Sequence, residues 1–248
     1  MATSWRTMAT TGSTTASSSI IGSVRAASIA NCRPRSRSLS DAEPGPWRMM
    51  GAGQAVSAVV RVRPAPGPGE TPLDLDKSKL SLAMVKDNDP ETPVTATVRM
   101  RDGAVSMGAG TARLTLDLDS FESNIHVRNE RVRGIFFESA TSGWDTAELS
   151  IARLPDDVLS AIRDKRRVSH AKMDGSVKLH GATIKLPLVI DAGLLETGAL
   201  WVKSSQPVAV KVSDFGLSEN LKKLATTCKH DSIDDVVKVD VSLEFMPP

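Results

Sequence analysis

The chain has 248 residues, 40% hydrophobic and 4% aromatic, and its 31 basic and 29 acidic side chains leave a net charge of +2. This balance argues against a nucleic-acid binder, which usually gathers a basic surplus on one face. Two cysteines are too few for a disulfide scaffold or a multi-cysteine zinc site. No apolar run approaches the roughly 18 residues that span a bilayer, so no transmembrane segment is predicted.

Residues 1–64 differ in composition from the rest of the chain. They are rich in Arg, Ser and Thr, and the first acidic residue is Asp41. A disordered extension, a transit-type targeting segment and a start site at Met49 or Met50 all fit this composition. A secretory signal fits less well, because Arg25 interrupts the best apolar stretch. The compartment therefore stays open between an exported and a cytoplasmic protein.

Residues 65–72 read APGPGETP, and this Pro- and Gly-rich run predicts a linker that forms neither a helix nor a central strand. The folded domain is placed at residues 73–246.

Short segments in which apolar and polar residues alternate follow one another through this domain. Alternation with a period of two indicates strands with one buried face. The predicted strands are 73–85, 94–100, 114–119, 147–152, 168–179, 184–190, 200–203, 208–212 and 236–245. Turns are predicted at 86–93, 101–103 and 180–182, and Pro187 suggests a strand edge or a bulge. Short helices are predicted after Pro155 and at 217–227.

Strands with one apolar and one polar face, together with few helices, indicate an all-β domain rather than a parallel α/β fold. Either a sandwich or a closed antiparallel barrel satisfies the pattern. A barrel of about eight strands with one or two short helices has an interior that side chains fill or that holds one small ligand.

The stretch 114–137 combines a strand with an unusual continuation. After the strand, Arg128 and Arg133 stand in a charged segment that ends in the apolar pair Phe136 and Phe137. The two aromatics are expected in an apolar place, either as plain core or at the mouth of a cavity. The arginines are expected either to receive an anionic group or to form a local contact, for example with Glu130.

Three blocks of sequence resemble the YceI-like family of polyisoprenoid-binding, lipocalin-like periplasmic proteins. They are SFESNIHVRNERVRGIFFES, GSVKLHGATIKLPLVI, and SSQPVAVKVSDFGL followed by the terminal VDVSLEF, in that order. Departures are Lys86, where the family often has His, the segment SATSGW after the Phe pair, and the absence of a convincing export signal.

The resemblance implies a lipocalin-like barrel around an apolar cavity that binds, sequesters or transports a long lipid without catalysis. The ligand would be a polyisoprenoid, an isoprenoid quinone or a fatty-acid derivative, and no other cofactor is expected. A homodimer remains one option. The ligand-binding residues are predicted to be Leu116, Leu118, Phe136, Phe137, Leu179, Leu186, Val210, Arg128 and Arg133.

Two other functions stay open at this point. An enzyme acting on a hydrophobic substrate would use Arg128, His180 or Asp214 in the same cavity, and a filled barrel would act as an interaction module. No GxSxG, phosphate loop or dinucleotide motif supports an enzyme. The four histidines show no metal-ligand spacing.

Overall fold

The computed structural model describes residues 65–247, so the interpretations of residues 1–64 lie outside it. Ten strands occupy most of the described chain. They are β1 (Thr71–Pro72), β2 (Lys79–Lys86), β3 (Asp89–Ser106), β4 (Thr111–Glu122), β5 (Thr146–Ile151), β6 (Val168–Leu179), β7 (Ala182–Leu194), β8 (Leu200–Ser204), β9 (Val208–Lys211) and β10 (Ile233–Phe245).

Short helices lie in three of the connections between strands. They are α1 (His126–Arg131), α2 (Ser139–Ser142), α3 (Asp156–Arg163) and α4 (Ser218–Cys228), with a π-helical turn at Val132–Phe136 and a 3-10 turn at Val212–Phe215. Helices α3 and α4 match the two predicted from sequence. Helices α1 and α2 are additional: α1 is six residues long, and Ile125 at its N-cap provides no side-chain hydrogen bond. The usual sequence signals of a helix start are therefore missing.

Eight strands close into an antiparallel barrel, which confirms the predicted fold class. Their order is β3-β2-β10-β8-β7-β6-β5-β4, and pairing of β4 with β3 completes the circuit. The two remaining strands are accessory: β1 pairs with β3, and β9 pairs with β10. Closure leaves the long strands without an open sheet edge over most of their length.

The two ends of the barrel carry different connections. The end called upper holds the turn at 87–88, the connection with α1 and α2, the turn at 180–181, and α4. The end called lower holds the turn at 107–110, helix α3, and the turn between β7 and β8. At the upper end, Asp87 and Asn88 both have a φ of +54°. Positive φ at both central residues suits a tight two-residue hairpin, so this turn is shorter than predicted.

The hairpin predicted at Arg101-Asp102-Gly103 is wrong, because β3 runs straight through these residues. Asp102 pairs with Thr115, and Gly103 pairs with Leu114. A Cβ atom on Gly103 would lie 3.0 Å from Leu73 Cδ2, so this glycine permits close packing rather than a turn.

A buried ion pair accounts for the acidic residue at the false turn. Asp102 is 5% exposed, and its carboxylate accepts a hydrogen bond from the guanidinium of Arg113. The same guanidinium also contacts Glu70, with Nη2 3.1 Å from Oε2. The position of Asp102 inside β3 is thus explained by its ion pair with Arg113 of the neighbouring strand β4.

Pro187 lies where β7 has a ladder on one side only. It pairs with Asp174 of β6, whereas β7 pairs with β8 only over Ile190–Leu194. A proline has no N–H to donate, so it is tolerated where the second neighbour is missing. The prediction of an edge position is confirmed.

Candidate ligand-binding cavity

The upper half of the barrel contains an apolar cavity of about 220 Å³. Its wall is made by the inward-facing residues of the alternating strands, for example Leu80, Leu82 and Met84 of β2. Further wall residues are Val94, Ala96, Val98, Leu114, Leu116, Leu118, Ala147, Leu149, Val177, Leu179, Leu186, Leu188, Val208, Val210, Val237, Val239 and Val241. Alternation with a period of two therefore produces an aliphatic lining.

A smaller apolar cavity of about 110 Å³ lies in the lower half of the barrel. Helix α3 covers it with Val158 and Ile162, which belong to the buried face of that helix. The first turn of α3 carries Asp156 and Asp157, acids that suit the positive end of the helix dipole.

Five side chains line both cavities and form a ring between them. This ring consists of Leu114, Leu149, Leu188, Val208 and Val241. Gly175 stands beside it, since a Cβ atom there would lie 2.9 Å from Cδ1 of both Leu149 and Leu188. The barrel interior therefore holds two apolar cavities that meet at this ring, and together they are called the channel.

Aromatic side chains line the larger cavity at its upper end. The rings of Phe136 and Phe137 have centroids 4.9 Å apart, and Phe121 meets Phe137 edge to face at 6.2 Å. Phe215 and Leu224 also line the larger cavity. Helix α1, the π-helical turn and α4 together are called the roof.

Helix α1 is attached to the end of β4 by a buried amide. Oδ1 of Asn129 accepts hydrogen bonds from the Ser123 N–H (2.9 Å) and the Ser123 hydroxyl (2.7 Å), and its Nδ2 donates to Glu122 Oε1 at 2.7 Å. The bonds from Asn129 and from the Asn124 N–H hold the pKa of Glu122 below its usual value of 4.5. This network fixes the position of the roof.

A second polar cluster attaches the segment after the roof to the β6–β7 hairpin. Nε2 of His180 lies 3.0 Å from Glu138 Oε2, and the imidazole packs on Trp144 with ring centroids 4.9 Å apart. Neither His180 nor Asp214 lines the larger cavity. His180 therefore has a structural contact at the hairpin and does not face the channel.

Polar side chains reach the larger cavity only at its rim. Lys86, Arg128, Cys228 and His230 are in the lining at the upper end, and Glu148 also contributes. Glu148 occupies the outer face of β5, where its carboxylate lies 3.9 Å from Lys178 Nζ. The rim is therefore mainly basic.

Asp87 lies behind two of these rim residues. Its Oδ2 is 2.8 Å from His230 Nδ1 and 3.6 Å from Lys86 Nζ, and Oδ1 accepts the Asp231 N–H. Partial burial works to raise the pKa of Asp87, but the hydrogen bonds from His230 and Asp231 outweigh it and the pKa is lowered. Asp87 is accordingly ionised at neutral pH.

The structure brings most of the predicted ligand-binding residues to one cavity. The residues in its lining are Leu116, Leu118, Phe136, Phe137, Leu179, Leu186, Val210 and Arg128. Arg133 lies outside the lining: its guanidinium donates to the main-chain oxygens of Asn129 and Asp119. Contact of any of these side chains with a ligand stays a prediction.

Sequence reasoning did not select several lining residues. Lys86 could have been predicted from the sequence, because it continues the inward alternation of Leu80, Leu82 and Met84. Cys228 and His230 had no local signal, since α4 and the following turn reach the cavity only through the tertiary fold.

Residues 65–247 contain no group of three or more His, Cys, Asp or Glu side chains that could hold a metal ion. No helix in the same range is long and apolar enough to cross a membrane.

Comparison with known proteins places the barrel in a family. The family model for the YceI-like domain matches residues 73–245, which is more than half of the chain. The chain belongs to the YceI-like family. No curated protein matches this YceI-like chain.

Three solved structures are similar to this YceI-like chain to different extents. A polyisoprenoid binding domain from Saccharophagus degradans is 23% identical, with a TM-score of 0.64 over 73% of this chain and 99% of that one. BcnA of Burkholderia cenocepacia is 16% identical, with a TM-score of 0.47 over 69% and 98%. A YceI protein of Campylobacter jejuni is 14% identical, with a TM-score of 0.39 over 66% and 79%.

Proposed function

We propose that this YceI-like barrel binds a long apolar lipid in its channel and sequesters or carries it without chemical change. The observation that supports this most is the aliphatic wall of the larger cavity, which continues into the aromatic side chains of the roof. The Saccharophagus degradans domain with the same fold is described as polyisoprenoid-binding. The ligand class proposed here is a polyisoprenoid, an isoprenoid quinone or a fatty-acid derivative.

The energetics of such a site need no catalytic group. Each methylene group that moves from water into an apolar wall contributes about 0.8 kcal/mol. The larger cavity alone is smaller than the ~300–1,000 Å³ typical of ligand pockets, whereas the two cavities together just reach that range. A long, thin chain that passes the ring between the cavities uses this space better than a compact ligand does.

The same lining argues against the enzyme hypothesis. Titratable side chains of the larger cavity are confined to the rim, and its inner wall is aliphatic and aromatic. A hydrolase or transferase needs convergent acid, base or nucleophile groups at the reacting bond. A filled interaction module is also disfavoured, because the interior contains space that side chains do not occupy.

Native mass spectrometry of the gently purified full chain tests the proposal. We expect an added mass from a co-purified lipid, or uptake of geranylgeraniol by the delipidated protein. Val210→Trp should abolish uptake, because Val210 lines the larger cavity and an indole there would occupy it. Val236→Trp is the matched control, since Val236 is 41% exposed on the neighbouring strand. A lipid-free mass with no uptake by the unmodified chain would overturn the proposal.

A further inference from the structure

We propose that the rim of the cavity selects lipids with an anionic head group, a phosphate or a carboxylate, which Arg128 binds with help from Lys86. This inference rests on the proposed function, because it concerns the polar end of a lipid whose chain lies in the channel. The two residues lie on different elements, α1 and β2, and both line the larger cavity.

Arg128 differs from the other arginines of the same segment. Arg131 contacts Cys228, with Nη1 3.6 Å from Sγ, and Arg133 is bound to two main-chain oxygens. Arg128 is half-buried in the lining of the cavity, yet its guanidinium forms no ion pair or hydrogen bond with the described residues 65–247. A partly buried charge without a partner is unfavourable, so a bound anion would stabilise this position.

Lys86 supplies a second positive charge that its neighbour neutralises only in part. Its side chain is 31% exposed, and the Asp87 oxygen nearest to Nζ, at 3.6 Å, also contacts His230 at 2.8 Å. The other carboxylate oxygen of Asp87 accepts the Asp231 N–H. The negative charge of Asp87 is therefore shared by Lys86, His230 and the Asp231 N–H, and the ammonium of Lys86 can still interact with a ligand.

Contacts between the elements place these groups at one end of the cavity. Arg131, one turn after Arg128 on α1, touches Cys228, and Cys228 and His230 line the same cavity. His230 contacts Asp87, the residue after Lys86. Glu148, the acid in the lining of the larger cavity among the described residues, lies on the outer face of β5 with its carboxylate 3.9 Å from Lys178 Nζ. The rim thus presents two cations against one shared carboxylate.

The chemistry of these groups fits an oxyanion better than a neutral head. A guanidinium offers paired N–H donors that match two oxygens of a phosphate or a carboxylate, and an ammonium adds a point charge. A hydroxyl head group could accept a hydrogen bond, but it would leave both charges without compensation. Head-group charge should consequently affect affinity even when the chain is the same.

Matched lipid pairs test the inference. Dissociation constants are measured for geranylgeraniol and geranylgeranyl monophosphate, and for hexadecanol and palmitate. We expect the unmodified protein to prefer the anion by about tenfold or more in at least one pair, the range of a charge-assisted hydrogen bond. Preference in only one pair would identify the head group as phosphate or as carboxylate.

Charge variants assign the preference to residues. Arg128→Gln should bring the ratio of the alcohol dissociation constant to the anion dissociation constant close to one. Lys86→Gln should lower this ratio in part, and Arg128→Lys should retain part of it. Arg153→Gln removes the same charge from the lower end of the barrel, where the side chain is 81% exposed, and should leave the ratio unchanged.

The outcomes separate the two proposals. Equal affinity for alcohol and anion in both pairs would overturn the head-group inference and leave lipid binding intact. An anion preference that survives Arg128→Gln would also overturn the assignment. Failure of the unmodified protein to bind any of the four lipids would overturn the proposed function itself.

Discussion

Asn220 of α4 donates a hydrogen bond from Nδ2 to the main-chain oxygen of Phe136, 3.1 Å away, and both residues are buried. Carbonyl groups in the last turn of a helix lack partners within that helix, and Phe136 ends the π-helical turn. The amide of Asn220 thus satisfies a buried acceptor and joins the two halves of the roof.

Asn220→Ala should destabilise the fold by about 1–3 kcal/mol, because it leaves the buried Phe136 oxygen without its donor. Chemical denaturation followed by circular dichroism measures this difference in unfolding free energy. Glu219→Ala on the exposed face of the same helix is the control, since its pair with Lys222 lies in solvent and contributes little. Equal losses in the two variants would contradict this role for Asn220.

Gly175→Ala should cost about 1–3 kcal/mol through overpacking, since the new Cβ atom would meet Leu149 and Leu188 at 2.9 Å. Gly134→Ala provides the opposite case. No atom lies within 4 Å of its added Cβ atom, and Gly134 belongs to the π-helical turn, so we expect no loss or a gain of roughly 0.5–1 kcal/mol. Thermal unfolding of both variants checks the sign of each effect, and a loss at Gly134 with none at Gly175 would contradict the packing described.

Leu149→Ala should let longer lipid chains bind, because Leu149 belongs to the ring between the two cavities. Affinity of the unmodified protein for alcohols of increasing length is expected to rise by about 0.8 kcal/mol per methylene and then level off. In the variant the plateau should move to longer chains.

Leu186→Ala is the control for this series, since Leu186 lines only the larger cavity. Both truncations remove partly buried side chains and should lower stability by less than the roughly 2–5 kcal/mol of a fully buried leucine, so binding is measured below the unfolding temperature of each variant. A plateau that moves equally in the two variants would show that the ring does not limit chain length.

Glu122 should make the attachment of the roof sensitive to acid. Its pKa in the folded protein lies below the usual 4.5, because Asn129 and the Asn124 N–H donate hydrogen bonds to the carboxylate. The stabilisation is therefore complete above about pH 4.5 and disappears as the pH falls through the lowered pKa. Glu122→Gln should reduce the melting temperature at pH 7, and the difference should shrink toward pH 3. Glu130→Gln on the exposed face of α1 should show no such trend, and a constant difference at all pH values would contradict the role of Glu122.

The barrel could be predicted because most strands have one apolar face. The same alternation brought Leu116, Leu118, Leu179, Leu186 and Val210 to the inner wall without any knowledge of the pairing order. Local alternation carries this information because each strand faces one common interior.

Features that depend on partners distant in sequence could not be predicted in this way. Asp102 and Gly103 look like a turn, and only Arg113 and Leu73 show why they belong to a strand. The rim of the cavity combines α1, the end of β2 and the turn after α4, which no local pattern connects.

The ring of five residues between the cavities has a consequence for folding. Its members come from β4, β5, β7, β9 and β10, so they span the sequence from Leu114 to Val241. Such non-local contacts form slowly, because the long intervening loops must close before the contacts stabilise anything. The depth of the channel is therefore defined only after the C-terminal strand has docked. A nascent chain lacking β10 would have inward-facing leucines, but it would lack the complete ring that limits how far a lipid tail can enter.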